Sequence, residues 1–95
     1  VKPFSIAPRA RLDLRQIGAF IARDNPERAL SFVDEIEAHA RRAAERPLGY
    51  RLRDEIGPGL RGLLHGRYSI LFRDLADEVR VVRILHTARD FGKLS

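Results

Sequence analysis

From Ala10 onward the apolar residues return at spacings of four, three and four, at Ala10, Leu14, Ile17 and Ile21. At about 100° per residue these positions form one narrow stripe, which predicts an amphipathic helix facing a core. Pro8 marks its start, because the first helical position has no use for the N–H that proline lacks. Leu12 falls opposite the stripe and reads as a candidate contact for a partner. A second stripe runs through Ala29, Val33, Ile36, Ala40 and Ala43, and Leu30 and Phe32 widen its arc to about 160°. Asn25 is placed to cap this helix, Pro26 opens it, and Glu27 sets a carboxylate against the positive end of its dipole. The link "RDNPER" is so short that the two helices must fold back on each other as an antiparallel hairpin.

The periodicity changes after Arg46. "PLGYRLRDEIGPGLRG" has glycines and prolines but no helical repeat, and predicts the longest loop. Three strand-like runs follow, "LRGLLH", "RYSILFRDL" and "EVRVVRILH", with turns expected at Gly66 and at Ala76-Asp77. Tyr68, Ile70 and Phe72 alternate with Ser69, Leu71 and Arg73, as in a strand with one covered face. The last run is apolar on both parities, with Val79, Val81 and Leu85 on one side and Val82 and Ile84 on the other. It reads as the central strand. Val1 to Ile6 alternates weakly and predicts a further strand ahead of the helices.

The order β-α-α-β-β-β predicts an α+β fold, an antiparallel sheet of about four strands with the helical hairpin packed on one face and the first strand added at its side. Ninety-five residues suffice for one such domain with one modest core. The second face of the sheet is left open in this arrangement and becomes a docking candidate.

Composition narrows the chemistry. The chain has no cysteine, which excludes disulfides, thiolate metal sites and thiol catalysis. No apolar run approaches the roughly 18 residues of a membrane span, so a soluble cytoplasmic protein is expected. The formal charge of +5 lies mostly in residues 46–95, which hold ten basic and six acidic side chains, so an anionic partner should meet that half. Arg51, Arg53 and Arg61 are the candidates on the loop and second strand, where a planar guanidinium can bond carboxylate or phosphate bidentately. Arg83, His86 and Arg89, in the closing "RILHTARD", are expected to join Arg61 in a candidate phosphate-binding cluster. Asp90 is expected to fix the chain end by pairing with Arg83 or another arginine. His39 reads as a solvated helix residue, and His65 as a residue before a turn that could reach the sheet surface. The sequence lacks the interleaved aromatics of a nucleic-acid stacking platform and the arginine-dense helix of a helix-turn-helix, which ranks a simple nucleic-acid-binding module last.

An ordered set of motifs then resembles ParE toxins of the RelE/ParE superfamily. Arg11 and Asp13 open the first helix, "DNP" joins the helices, and "ERPLGYRLRDEI" leads to "GLR". The tyrosine and arginine of "YSILFR" and the closing "RILHTARD" complete the set, so the likeness runs over nearly the whole chain. The resemblance implies the toxic half of a type II toxin–antitoxin pair that inhibits DNA gyrase and blocks replication, with no catalytic residues, metal or cofactor of its own. It implies neutralisation by a ParD-like ribbon-helix-helix antitoxin, through which alone operator DNA would be bound. The rival within the superfamily is a RelE-like ribosome-dependent endonuclease of messenger RNA. That chemistry requires an acid–base pair and cationic groups for the developing phosphorane. RelE-like enzymes resemble one another in crowding lysines, arginines and a late tyrosine or histidine onto the open sheet face. This chain departs from them, since its tyrosines are at positions 50 and 68 and Lys93 is the only lysine after Lys2.

Overall fold

In the computed structural model, which describes residues 2–91, the helical stripes lie where the spacing puts them. Helix α1 (Pro8–Ala22) buries Ala10, Asp13, Leu14 and Ile17, and α2 (Pro26–Glu45) buries Ala29, Phe32, Ile36, Ala40, Ala43 and Ala44. Pro8 and Pro26 stand at the helix starts, and the Asn25 side chain accepts the Arg28 N–H at 3.0 Å. Of the two residues expected to widen the α2 arc, Phe32 enters the core, whereas Leu30 stays 74% exposed.

The sheet has five strands rather than four: β1 (Phe4–Ile6), β2 (Arg51–Leu52), β3 (Arg61–His65), β4 (Tyr68–Asp74) and β5 (Val79–His86), in the order β1-β5-β4-β3-β2. Val1, expected to open the first strand, lies outside the described residues. β1 pairs with β5 in parallel, so the sheet is mixed and not purely antiparallel. The two helices between β1 and the later strands supply the long crossover that a parallel neighbour needs. Strand β2 falls inside the stretch expected to be loop. It is two exposed residues long, too short to carry a period, and is defined by pairing to β3. A short 3₁₀ turn, Pro47–Gly49, precedes it.

β4 takes the middle of the sheet, and its first five residues are all buried. β5 is interior too, flanked by β1 and β4. Its register carries the main correction to the sequence pattern. Leu71 pairs with Arg83 but Phe72 pairs with Val81, so Val82 is an extra residue in β5. A bulge of this kind reverses the alternation beyond it. Ile84 therefore joins Val79 and Val81 in the core under the helices, while Leu85 and Val82 face the other side. On that side Leu60, Leu71 and Leu85 form a second small cluster, with Ile56 packed against it. The face expected to be open is thus partly closed by the Arg53–Leu60 excursion, which the Arg53 N–H fastens to the Leu60 carbonyl at 2.6 Å.

The chain ends of the sheet are pinned by side chains as well as by the ladder. Lys2 donates to Asp74 and to the Leu75 carbonyl, and the Ser5 hydroxyl donates to Glu78 at 2.7 Å. The turn between β4 and β5 centres on Ala76 and Asp77, closed by the Leu75 N–H on the Glu78 carbonyl. After β5 the chain makes one short helix, α3 (Thr87–Phe91).

Candidate functional site

One carboxylate sits on the buried side of the first helix. Asp13 lies between Ala10 and Leu14 on the buried side of α1 and is only 5% exposed. A carboxylate at such a position must be paired or neutralised. Its Oδ2 accepts the backbone N–H of Ile84 at 2.9 Å and the Nε–H of Arg83 at 2.9 Å, while Arg9 Nε lies 3.7 Å from Oδ1. Asp13 thus clamps α1 to β5 just beyond the bulge.

This clamp forms the floor of a cleft of about 480 Å³ between α1, β5 and α3. Arg9, Gln16, Phe20, Arg83, Arg89 and Asp90 line it, and the Phe20 ring is 54% exposed at its rim. His86 stands next to it: its Nδ1 accepts the Arg89 N–H at 3.1 Å, and its ring meets Tyr68 edge-on, centroids 5.3 Å apart. Arg83, His86 and Arg89 are therefore brought together, but Arg61, expected in the same cluster, lies two strands away on β3 and donates to the Tyr50 carbonyl. The partner of Arg83 is different: Asp13 takes it, whereas Asp90 accepts the His86 N–H at 2.7 Å and Arg89 Nε at 3.3 Å. Asp90 still fixes the chain end, by turning the backbone from β5 into α3. The cleft offers cationic hydrogen-bond donors beside an exposed aromatic ring, a combination suited to acidic and aromatic groups of a partner.

The other three arginine candidates lie elsewhere. Cross-strand pairing runs Arg51, Gly62, Leu71, Arg83 across the sheet. Three strand spacings separate the ends of that row, about 14 Å at roughly 4.8 Å each. Arg51 is exposed, Arg53 bonds Glu55 at 2.9 Å and Arg61 Nη1 donates to the Tyr50 carbonyl at 2.8 Å. The Arg53 stem lies over Gly62, where an added Cβ would stand 3.1 Å from its Cγ. Leu12 is half-buried and not the freely exposed leucine expected.

The histidines of α2 and β3 also depart from expectation. His39 is only partly exposed. Its Nδ1 lies 2.9 Å from Nδ1 of His65, so one ring donates to the other and ties α2 to β3. Burial, then His65 and Arg42, hold the His39 pKa below its ordinary value. His65 is also edge-on to Phe32, and its Nε2 lies 3.6 Å from Glu35. The carboxyl of Glu35 is held below its usual range, chiefly by its hydrogen bond from Arg28. Both tyrosines pack on the helix side, Tyr68 buried in the main core and Tyr50 edge-on to Phe72. Lys93 lies outside the described residues. Among the described residues no helix is long and apolar enough to cross a membrane, and no group of three or more histidine or acidic side chains is arranged to hold a metal ion.

A mixed sheet under a helical hairpin, with an arginine-lined cleft between α1, β5 and α3, defines a small α+β domain. The comparisons place it. A family model for the ParE toxin of the type II toxin–antitoxin system parDE matches residues 4–91. Among solved structures, the fold is similar to a chain of the chromosomal ParDE TA system from P. aeruginosa, with a TM-score of 0.80 and 24% sequence identity over 90% of this chain and 95% of that one. No curated protein matches the sequence. The chain belongs to the ParE toxin family of type II toxin–antitoxin systems. Membership of a parDE system implies an antitoxin partner.

Proposed function

We propose that this chain inhibits DNA gyrase in the cytoplasm, blocks replication, and is neutralised by a ParD-like ribbon-helix-helix antitoxin, with operator DNA reached only through that antitoxin. The match to the ParE family over residues 4–91 carries the proposal. Inhibition is by binding and not by catalysis, and the engagement of the acid–base candidates supports this. His39 and His65 bond each other, both tyrosine rings pack toward the helices, and His86 Nδ1 is taken by the Arg89 N–H.

Arg83, His86 and Arg89, together with Arg9 and Phe20, form the surface assigned to the target or antitoxin. Arg51, Arg53, Arg61 and Leu12 belong to separate, secondary contacts. The test is a supercoiling assay with purified gyrase run beside a cell-free translation assay. Inhibition of supercoiling, with translation untouched and activity restored on adding antitoxin, is the expected result. Ribosome-dependent cleavage of messenger RNA with gyrase unaffected would sink the proposal in favour of a RelE-like endonuclease. Arg89→Glu reverses an exposed charge on α3 and is expected to weaken inhibition about tenfold, the order of one lost charge-assisted contact. Its urea melt should match that of the parent chain.

A further inference from the structure

A second stripe runs along α1 beside the apolar one. Arg9, Asp13, Gln16 and Phe20 repeat at spacings of four, three and four, each one residue before Ala10, Leu14, Ile17 and Ile21. One residue is about 100° of turn, so this stripe leaves the core and lines the cleft against β5 and α3. Arg9 and Phe20 stand about 16 Å apart along the helix axis.

The three arginines of the cleft share one arrangement. Each turns its Nε toward a carboxylate: Arg83 to Asp13 at 2.9 Å, Arg9 to Asp13 at 3.7 Å and Arg89 to Asp90 at 3.3 Å. Both carboxylates also accept backbone donors, Asp13 the Ile84 N–H and Asp90 the His86 N–H. Apart from Arg83 Nη2, which lies 3.4 Å from Asp13, the terminal nitrogens of the three arginines have no hydrogen-bond partner among the described residues. A guanidinium held along its Nε edge keeps its remaining donors in a fixed plane, ready for an oxyanion. Three cations against two carboxylates leave the cleft positive, and the Phe20 ring stands open at its rim.

A nucleic-acid strand supplies both complements in every unit, a phosphate for the free donors and a base for the ring. An acidic peptide supplies the oxyanions without a regular flat partner for Phe20. A duplex keeps its bases stacked and shows only their edges, so the ring requires an unpaired strand. Phe20 is far from Arg83 and Arg89 in sequence, which is why no interleaving of aromatic and basic residues is visible there; the fold brings them to one cleft.

We infer that the cleft between α1, β5 and α3 holds a single strand of DNA, its phosphates on Arg9, Arg83 and Arg89 and a base stacked on Phe20. The inference rests on the reading of this cleft as the surface for the target, gyrase, and names what enters it; operator duplex is left to the antitoxin.

Fluorescence anisotropy with a labelled oligo(dT) of about 12 nucleotides tests it. The affinity should fall with salt at a log–log slope of about 2, from three phosphate contacts at roughly 0.7 each. Phe20→Ala should weaken binding about tenfold, the order of one lost base stack, whereas Phe20→Tyr keeps the ring and should bind like the parent chain. Arg9→Gln should lower the slope by about 0.7, while Arg15→Gln, the same change of charge about 200° round α1 from Asp13, should leave it as it is. Arg9, Arg15 and Phe20 are exposed, and unchanged circular dichroism melts would show that the folds are intact. No binding up to about 100 μM, the weak end of non-specific affinity, overturns the inference. So does an equal loss from Arg9→Gln and Arg15→Gln, the mark of diffuse attraction to a basic chain, or tighter binding to duplex DNA or to oligo(U). Poly(glutamate) that binds as tightly as oligo(dT) would give the cleft to an acidic protein segment and overturn it too. The supercoiling assay separates the two readings: a chain that inhibits gyrase yet ignores the oligonucleotide loses this inference alone, and one that binds the oligonucleotide yet leaves gyrase untouched places the failure in the gyrase reading.

Discussion

Asp13 opens α1 as part of a family motif, and the motif says nothing of its role. The fold sets it between Ala10, Leu14 and Ile17 on the buried side of the helix. Nothing local says that its partners are the Ile84 N–H and the Arg83 guanidinium, some 70 residues away. Asp13→Ala would leave a buried backbone donor without an acceptor and a guanidinium without its anion. The expected loss is about 3 kcal/mol, the size associated with removing one member of a buried, hydrogen-bonded pair. Urea denaturation measures it, and a change within about 0.5 kcal/mol, the ordinary range for a surface substitution, would show that the clamp is not structural. His39 teaches the reverse. A helix position outside the apolar arc looks solvated, yet the sheet beneath brings His65 to meet it.

At the scale of elements, the helices are the part best read from sequence, because a helix satisfies its backbone locally and its stripe, cap and proline all lie within a few residues. Strands depend on neighbours. β2 has two residues and no pattern of its own, and the parity of β5 is broken by an extra residue that only its pairing with β4 exposes. The turn between β3 and β4 is an exception, since its chemistry is local. His65 pairs with Tyr68, leaving Gly66 and Arg67 as a two-residue loop, and Gly66 adopts φ 59°. That is the left-handed region in which a side chain is strained, as expected at the first central position of a tight hairpin. Gly66→Ala should cost about 1 kcal/mol in a urea melt. Gly49→Ala, at an ordinary backbone angle with open space around it, provides the control and should leave the midpoint unchanged.

Across the whole molecule the titrating groups bias stability in one direction. The folded His39 pKa lies below its ordinary 6.5, because burial and then His65 and Arg42 disfavour the charged ring. Through that window the unfolded chain binds more protons, so this contribution is complete above pH 6.5 and declines as pH falls toward the folded value. Glu35, Glu55 and Glu78 are also held below 4.5, by hydrogen bonds from Arg28, from Arg53 and from Ser5 with Arg80 respectively. Their contributions are present above that value and fade below it. Stability should therefore fall steadily on acidification. Comparing urea midpoints at pH 7.5 and 5.5 isolates the histidine part, and His39→Gln should flatten the difference. A parent chain equally stable at both values would remove the pair from the account.

The sequence by itself determined the two helices, the prolines that open them and the Asn25 cap, the hairpin they form, four of the strands, the α+β class and, by resemblance, the family. These follow from periodicity, turn chemistry and motif order, all of which are written along the chain. It also grouped Arg83, His86 and Arg89, which are neighbours in sequence, but joined to them Arg61, which the fold keeps apart. Tertiary structure alone decided that β1 joins in parallel, that β2 exists, that the bulge sends Ile84 and Leu85 to opposite faces, and that Arg83 belongs to Asp13. It also separated the Arg51, Arg53 and Arg61 group from the cleft. The division has one physical cause: a helix, cap or turn is stabilised by groups a few residues apart, whereas register, burial of a charge and the joining of a cleft are set by groups that only the folded chain brings within reach.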